Sequence, residues 1–354
     1  MLKRFWLGLL VGIIAGMLAL GAWWLLAGRL APGSQLSTDS TEATDRAGDI
    51  TGSDEATIKI MVGGDVMLGR YVERQIDRYG STWPFDEIAE RMAAADLTLI
   101  NLESPLSITG TQTPDDSLIL RGEPKGVDGL VKAGVDFAAL ANNHIPDMGY
   151  LGLSDTKTLL GQNKILFAGA GDTKQGAHQP AIFERAGQRI AVLSYTYGVN
   201  FDKPGVIYAP TDAAAARSDI EALNNIAIIL VMVHFGQEYA AVASQKQRDF
   251  AHALIDAGAS AVIGSHPHVP QPVETYKDKP IFYSLGNLVF DQAPGGNRDH
   301  SATAELTFKG PSLQRVKLQP YHIYNYGQPK WLGEGAEYQE ILRLFGLPSG
   351  EQTF

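Results

Sequence analysis

The sequence predicts an α/β layered sandwich built on a mixed sheet. Three observations predict it. Apolar runs of strand length alternate with helical stretches along residues 57–291. Several of those runs stop abruptly at Gly, Asn or His-Pro. Around Gly187, residues 181–195 read as an antiparallel hairpin inserted into the alternation. Ligands in such folds gather at the carboxyl ends of the strands, so the strand exits are where chemistry is expected.

Residues 1–30 precede this pattern. Lys3 and Arg4 lead into an uncharged run over 5–27, about 23 residues and long enough to span a bilayer. Trp23 and Trp24 stand near its far end, where interfacial aromatics are favoured. The positive flank predicts a cytoplasmic N-terminus, a single membrane pass and an extracytoplasmic bulk. A cleaved signal peptide is the competing reading. The run is long for one, and no small-x-small cleavage site follows it. Residues 31–56 are rich in Ser, Thr, Asp, Glu and Gly and read as a solvated tether. One folded domain is expected over 57–332 and a C-terminal extension over 333–354, with a short helix at 338–345.

The first strand, 57–63, alternates and then turns apolar before Gly63, Gly64 and Asp65. Glycines there let the backbone turn sharply and set Asp65 at the sheet edge. Trp83-Pro84-Phe85 introduces a helix over 86–95. The second strand, 96–100, releases Asn101 and Glu103 where its apolar run stops. A helix over 126–134, ended by glycine, leads to a third strand over 136–141. That strand exits into Asn142, Asn143 and His144, with Asp147 just beyond. A helix over 150–163 and a short strand over 165–168 precede the hairpin. A helix over 211–223 takes Thr211 or Asp212 as its cap. The apolar run 226–233 is the clearest buried-strand signal and exits at His234, with Glu238 following. A helix over 244–256 stops at Gly258. The strand 261–263 then runs through Gly264-Ser265 into His266-Pro267-His268. Residues two apart on an extended segment share a side, so both imidazoles are expected side by side, with prolines excluding helix. Residues 279–291 read as one further strand containing Asn287, and 302–308 and 313–324 as antiparallel β.

With 354 residues and 45% apolar content, the chain can bury a large core. A net charge of −10 argues against a nucleic-acid partner. The absence of cysteine removes disulfides, thiolate metal sites and a cysteine nucleophile. Metal-competent oxygen and nitrogen donors remain at five strand exits: Asp65, Glu103, Asn143 with His144, His234, and His266 with His268. This donor set suits Zn, Mn or Fe better than Ca or Mg. So many donors fit a pair of divalent ions bridged by a carboxylate, which would clamp a phosphoryl or carbonyl oxygen. Singly, each has an ordinary reading as a cap, a turn residue or a surface carboxylate. His178, His252, His300 and His322 lack the strand-exit context and read as structural or surface residues.

Six motifs stand in order over 58–291: Gly64-Asp65-Val66-Met67-Leu68-Gly69-Arg70, Asn101-Leu102-Glu103-Ser104-Pro105, Asn142-Asn143-His144 with Asp147, His234-Phe235-Gly236-Gln237-Glu238, Gly264-Ser265-His266-Pro267-His268, and Leu285-Gly286-Asn287 through Asp291. Together they resemble the CapA capsule-synthesis family, associated with poly-γ-glutamate synthesis and export. The resemblance implies a four-layer α-β-β-α sandwich of the calcineurin-like metallophosphoesterase type. It further implies that Asp65 is the first metal carboxylate, that Glu103 bridges, and that Asn143, His234, His266 and His268 complete two metals. His144 would protonate the leaving group, oriented by Asp147. There are two departures. Met67 stands where the superfamily's first motif carries a histidine, and Glu103 replaces a shorter aspartate. Asn101 or Glu238 would then complete the weaker position. Arg70, Asn101, Asn142, Glu238 and Asn287 are the candidate substrate contacts, and Arg121 is a candidate or a plain surface arginine.

The expectation is therefore a membrane-anchored protein of capsule or poly-γ-glutamate assembly with a dinuclear hydrolase-type site for a phosphoester or amide. Two alternatives stand beside it. One is a non-catalytic metal-dependent binder of an anionic polymer within a membrane synthase complex. The other is a periplasmic phosphoesterase.

Overall fold

The computed structural model describes residues 56–110, 119–198, 207–208 and 212–354. The anchor expected over 1–30, and the tether over 31–56 apart from its last residue, lie outside the described residues. Among the described residues no helix is long and apolar enough to cross a membrane.

In chain order the strands are β1 (Thr57–Val66), β2 (Leu97–Leu102), β3 (Phe137–Ala139), β4 (Leu166–Ala168), β5 (Ala170–Gly171), β6 (Ala181–Arg185), β7 (Gln188–Tyr197), β8 (Ile207–Tyr208) and β9 (Ile228–Phe235). They continue as β10 (Ala261–Ser265), β11 (Val273–Tyr276), β12 (Lys279–Phe282), β13 (Asn287–Val289), β14 (His300–Lys309), β15 (Ser312–Tyr324), β16 (Gln328–Trp331) and β17 (Glu351–Thr353). One sheet runs β16-β15-β14-β1-β2-β3-β4, with β13 beside β1 and β17 beside β15. The second runs β11-β12-β10-β9-β7-β6, and β5 with β8 form a separate pair.

Apolar side chains place the layers. Ile58, Ile60 and Val62 of β1 meet Leu230 and Met232 of β9 and Ile263 of β10 in one cluster, so the two sheets pack face to face. The far side of the first sheet, with Met61 and Ile100, is covered by Val72 and Ile76 of helix Arg70–Tyr79 and by Leu153 and Leu160 of helix Gly149–Gln162. The far side of the second, with Val231 and Val262, is covered by Ile220 of helix Ala213–Glu221 and by Phe250 and Leu254 of helix Gln245–Asp256. The result is a helix–sheet–sheet–helix sandwich. Alternation along β1 follows the period-two rule: Ile60 and Val62 face the other sheet, and Met61 faces the helices.

Two sequence expectations change. Residues 279–291 form two strands, because Gly286 takes φ +71° and lets the chain leave β12 in one sheet for β13 in the other. Helix Arg70–Tyr79 was not expected: it starts at Gly69 without a side-chain cap, and only Val72, Gln75 and Ile76 of its ten residues are buried. Residues 333–354 pack onto the sandwich. Helix Ala336–Leu344 buries Ile341 and Leu342, with Phe345 beside it, and β17 pairs antiparallel with β15.

The sheets also meet closely at one end. A Cβ on Gly64 would lie 1.9 Å from the Gly286 carbonyl oxygen, so only glycine fits there. The next residue, Asp65, donates its amide to that same oxygen at 3.0 Å.

Candidate metal centre

Strands β1, β2 and β3 run parallel, as do β9 and β10. Their carboxyl ends therefore deliver side chains to one rim. Asp65 lies near the end of β1, Glu103 follows β2, Asn143 follows β3, His234 lies within the end of β9, and His266 and His268 follow β10. All six are buried. Asp65 Oδ2 accepts the His266 backbone N–H at 3.2 Å and lies 3.2 Å from His268 Nδ1, which joins the two sheets. Glu103 Oε1 lies 3.5 Å from His268 Nε2 and 3.9 Å from His234 Nε2. The His234 and His266 rings are 4.6 Å apart. Glu103, His234 and His266 can hold one ion, and Asp65, Glu103 and His268 a second, with Glu103 common to both.

The side chains behind these donors fix their tautomers. Ser265 Oγ sits 3.0 Å from His234 Nδ1, while His234 Nε2 faces Asn143 Oδ1 at 2.7 Å. Asn287 Oδ1 sits 2.9 Å from His268 Nδ1, which leaves Nε2 toward Glu103. Asn101 donates to Asp65 Oδ1 at 2.8 Å and lies 3.4 Å from Glu103 Oε2. His144 Nδ1 lies 2.9 Å from Asp147 Oδ2, which also accepts the Leu120 N–H at 2.9 Å.

The donor set fits a divalent transition metal. Glu103 Oε1 and His266 Nδ1 are buried with no protein hydrogen-bond partner, a state that buried polar atoms avoid unless something else satisfies them. Burial, then the adjacent Asp65 carboxylate, holds the Glu103 carboxyl well above the usual range. Burial, then the neighbouring imidazoles, holds His234 well below its usual value, and burial with His268 lowers His266 to about 4. Cations placed among them would reverse the Glu103 shift and use the neutral imidazoles as they stand.

The His266 shift has a sign that can be measured. In the metal-free protein the folded imidazole stays neutral, whereas the unfolded chain takes up a proton below about 6.5. The unfolded state then binds more protons, so stability is lost as pH falls from 6.5 toward 4. Glu103 acts in the opposite sense: its contribution is present at low pH and lost as pH rises through its raised pKa. A His266→Asn comparison isolates the first term. Over that window the wild type is expected to lose more stability than the variant, by at most roughly 3 kcal/mol. Parallel Tm–pH curves for the two metal-free proteins would contradict this.

The family model described as bacterial capsule synthesis protein PGA_cap matches residues 59–292, a stretch that contains every donor above. The chain belongs to that family. Within it, the chain is 32% identical over 269 residues to the PGA biosynthesis protein CapA of Bacillus subtilis (strain 168), covering 74% of this chain and 70% of that one. It is 28% identical over 292 residues to the capsule biosynthesis protein CapA of Bacillus anthracis, covering 79% and 71%. It is 28% identical over 353 residues to a probable polyglutamine synthesis accessory protein of Mycobacterium tuberculosis, covering 82% and 92%. Among solved structures it is similar to TT1561 of Thermus thermophilus, with TM-score 0.42, 12% identity and coverage of 72% and 99%. It is also similar to the Thermus thermophilus sulfate thiohydrolase SoxB in complex with glycerol, with TM-score 0.42, 15% identity and coverage of 77% and 58%.

In this PGA_cap chain the six metal-ligand candidates converge, and several expected substrate contacts are engaged by neighbouring protein groups. Asn142 is fully buried. Its Nδ2 donates to Asn101 Oδ1 and the Leu102 carbonyl, and its Oδ1 accepts from the His144 and Ile145 amides. Asn287 likewise spends Nδ2 on Gln292 Oε1 and the Arg298 carbonyl. Asn101 sits among the acids. These three amides orient other groups. Arg70 is clamped by both oxygens of Asp291, and Arg121 lies 3.5 Å from Glu73. Glu238 is exposed and close enough to raise the Glu103 carboxyl further. Met67 turns into the helical side of the core, where its Sδ accepts the Gly69 N–H, because the ladder shifts register between Asp65 and Val66.

The expected reason for the paired histidines also changes. His266 and His268 take φ +97° and +58°, so left-handed backbone, and not strand alternation, places both rings. Ser265 and Asp291 stand inside two of the six motifs, but the sequence assigns them no role of their own. Their partners, His234 and Arg70, are distant in sequence, so the local pattern does not show what they do.

Proposed function

We propose that this protein is a membrane-anchored, extracytoplasmic factor of capsule or poly-γ-glutamate assembly that hydrolyses an amide or phosphoester bond in an anionic substrate. The observation that carries the reading is Glu103: one buried carboxylate is common to two three-donor groups. Asp65, Glu103 and His268 would hold one ion, and Glu103, His234, His266 and Asn143 the other, with Zn, Mn or Fe suited to the donors. Bound ions of this kind supply Lewis-acid polarisation and water made acidic enough to ionise near neutral pH.

The protein's own groups handle position and protons. Asp147 holds Nδ1 of His144, leaving Nε2 as the nitrogen that passes a proton to the leaving atom. Asn142 pins the turn that carries His144 through the two amides it accepts. The uncharged run 5–27 behind Lys3 and Arg4 supports anchoring. The printed names of the relatives support the capsule and polyglutamate setting.

Met67 favours a second reading. Where the superfamily carries a histidine, this side chain lies in the apolar core, which leaves one metal position poorer in donors. A gripping site that holds an anionic polymer without cleaving it would tolerate that. To separate the two, the full chain in detergent is incubated with Mn or Zn and either γ-glutamyl oligomers or a nitrophenyl phosphodiester. Metal-dependent product release is the expected result. Metal-dependent retention of the oligomer with no product would replace hydrolysis by gripping.

A further inference from the structure

A second cluster of donors lies outside the site described above. His300 on β14 and His322 on β15 are direct cross-strand partners in the antiparallel ladder, so both rings leave the same face of the sheet. Their centroids are 4.5 Å apart. Over them sits Glu337, from the first turn of helix Ala336–Leu344. Its Oε1 lies 2.5 Å from His322 Nδ1 and 3.5 Å from His300 Nε2. One donor atom from each residue lies within 4.8 Å of the other two. Donors on a tetrahedral zinc ion sit about 3.3–3.4 Å apart at bond lengths near 2.05 Å, so little movement is required.

The remaining nitrogen of each ring faces another carboxylate. Asp299, itself largely buried, lies 2.8 Å from His300 Nδ1 and 3.8 Å from His322 Nε2. Every ring nitrogen therefore faces a carboxylate oxygen, yet a neutral imidazole has only one N–H. With both rings neutral, each would direct a lone pair at an anion. A cation among the inner donors removes that conflict, and Asp299 then supplies the outer hydrogen bond that orients His300, with its other oxygen near His322. His322 is further fixed by stacking on Tyr324, with centroids 4.3 Å apart. The three donor side chains keep 26%, 23% and 40% of their surface exposed, so an ion can enter directly.

We propose that His300, His322 and Glu337 form a second transition-metal site, of the class that takes zinc or nickel, which ties the C-terminal helix to the sheet. It shares no donor with the Glu103 centre and does not depend on the hydrolytic reading.

The test is zinc titration of the full chain at pH 7.5, with bound metal counted after gel filtration. The double variant His300→Gln/His322→Gln is expected to bind one equivalent fewer than wild type. A His266→Asn/His268→Asn variant is expected to keep that equivalent. The zinc-induced gain in hydrogen-exchange protection over 336–344 should vanish in the double glutamine variant. If that variant folds poorly by circular dichroism, Glu337→Gln at this half-exposed position replaces it, with an expected loss of affinity of at least about tenfold. Equal stoichiometry in wild type and double variant, or unchanged affinity in Glu337→Gln, overturns the site.

Discussion

Replacing Glu103 with glutamine is expected to abolish metal binding at both halves of the centre at once, whereas His268→Ala should cost only one. The reason is the shared position of Glu103 in both donor groups. The isosteric amide keeps the volume and removes the negative charge that both ions need. Metal content by mass spectrometry should fall from about two equivalents toward zero at the central site. Stability offers an independent readout. Burial and Asp65 already disfavour the charged carboxyl in the metal-free fold, so the metal-free variant should be no less stable than metal-free wild type. The metal-loaded wild type should exceed the variant by about 2.7 kcal/mol for each ion present at a hundred times its Kd. A Glu103→Gln protein that still carries both central ions would remove the shared-ligand arrangement and with it the hydrolytic reading.

The second large effect concerns His144. Converting it to alanine is expected to lower turnover on the responsive substrate by roughly 10²–10⁴-fold while central metal content stays at the wild-type level. Neither donor group includes His144, so ion binding has no reason to change. Asp147→Asn should cost less, roughly 10–100-fold, because the ring keeps its place but loses the carboxylate that fixes its tautomer. It should also shift the acidic limb of the pH–rate profile, which a purely structural role would leave in place. Wild-type turnover in His144→Ala would take the imidazole out of the reaction.

Much of the centre was legible in the sequence, because strand exits are marked by local signals. An apolar run that stops at Gly-Asp, Asn-x-Glu or Gly-Ser-His announces both the strand and the donor, and parallel strands bring such exits together. What local signals do not carry is register. His300 and His322 carry no mark of their pairing because 21 residues intervene between them, and only the β14–β15 ladder sets them opposite. The same holds for Asn142, Asn101 and Asn287, whose hydrogen-bond partners are set by tertiary packing and carry no local mark. The break between β12 and β13 falls at Ser284-Leu285-Gly286, too short an interruption to read as a change of sheet, yet one glycine torsion suffices to move the chain between sheets. Helix Arg70–Tyr79 escaped because its sequence is mostly polar and has no capping side chain.

The left-handed torsions at His266 and His268 limit what those positions can become. Apart from glycine, Asn, Asp and His are the residue types most enriched in that region. Three of those four residue types bind metals. A lineage that drifts at either position without unsettling the loop is thus steered from nitrogen toward oxygen donors, or to glycine and an abandoned ligand. Sulfur or aliphatic replacements at either position are disfavoured by the backbone itself, whatever the side chain does.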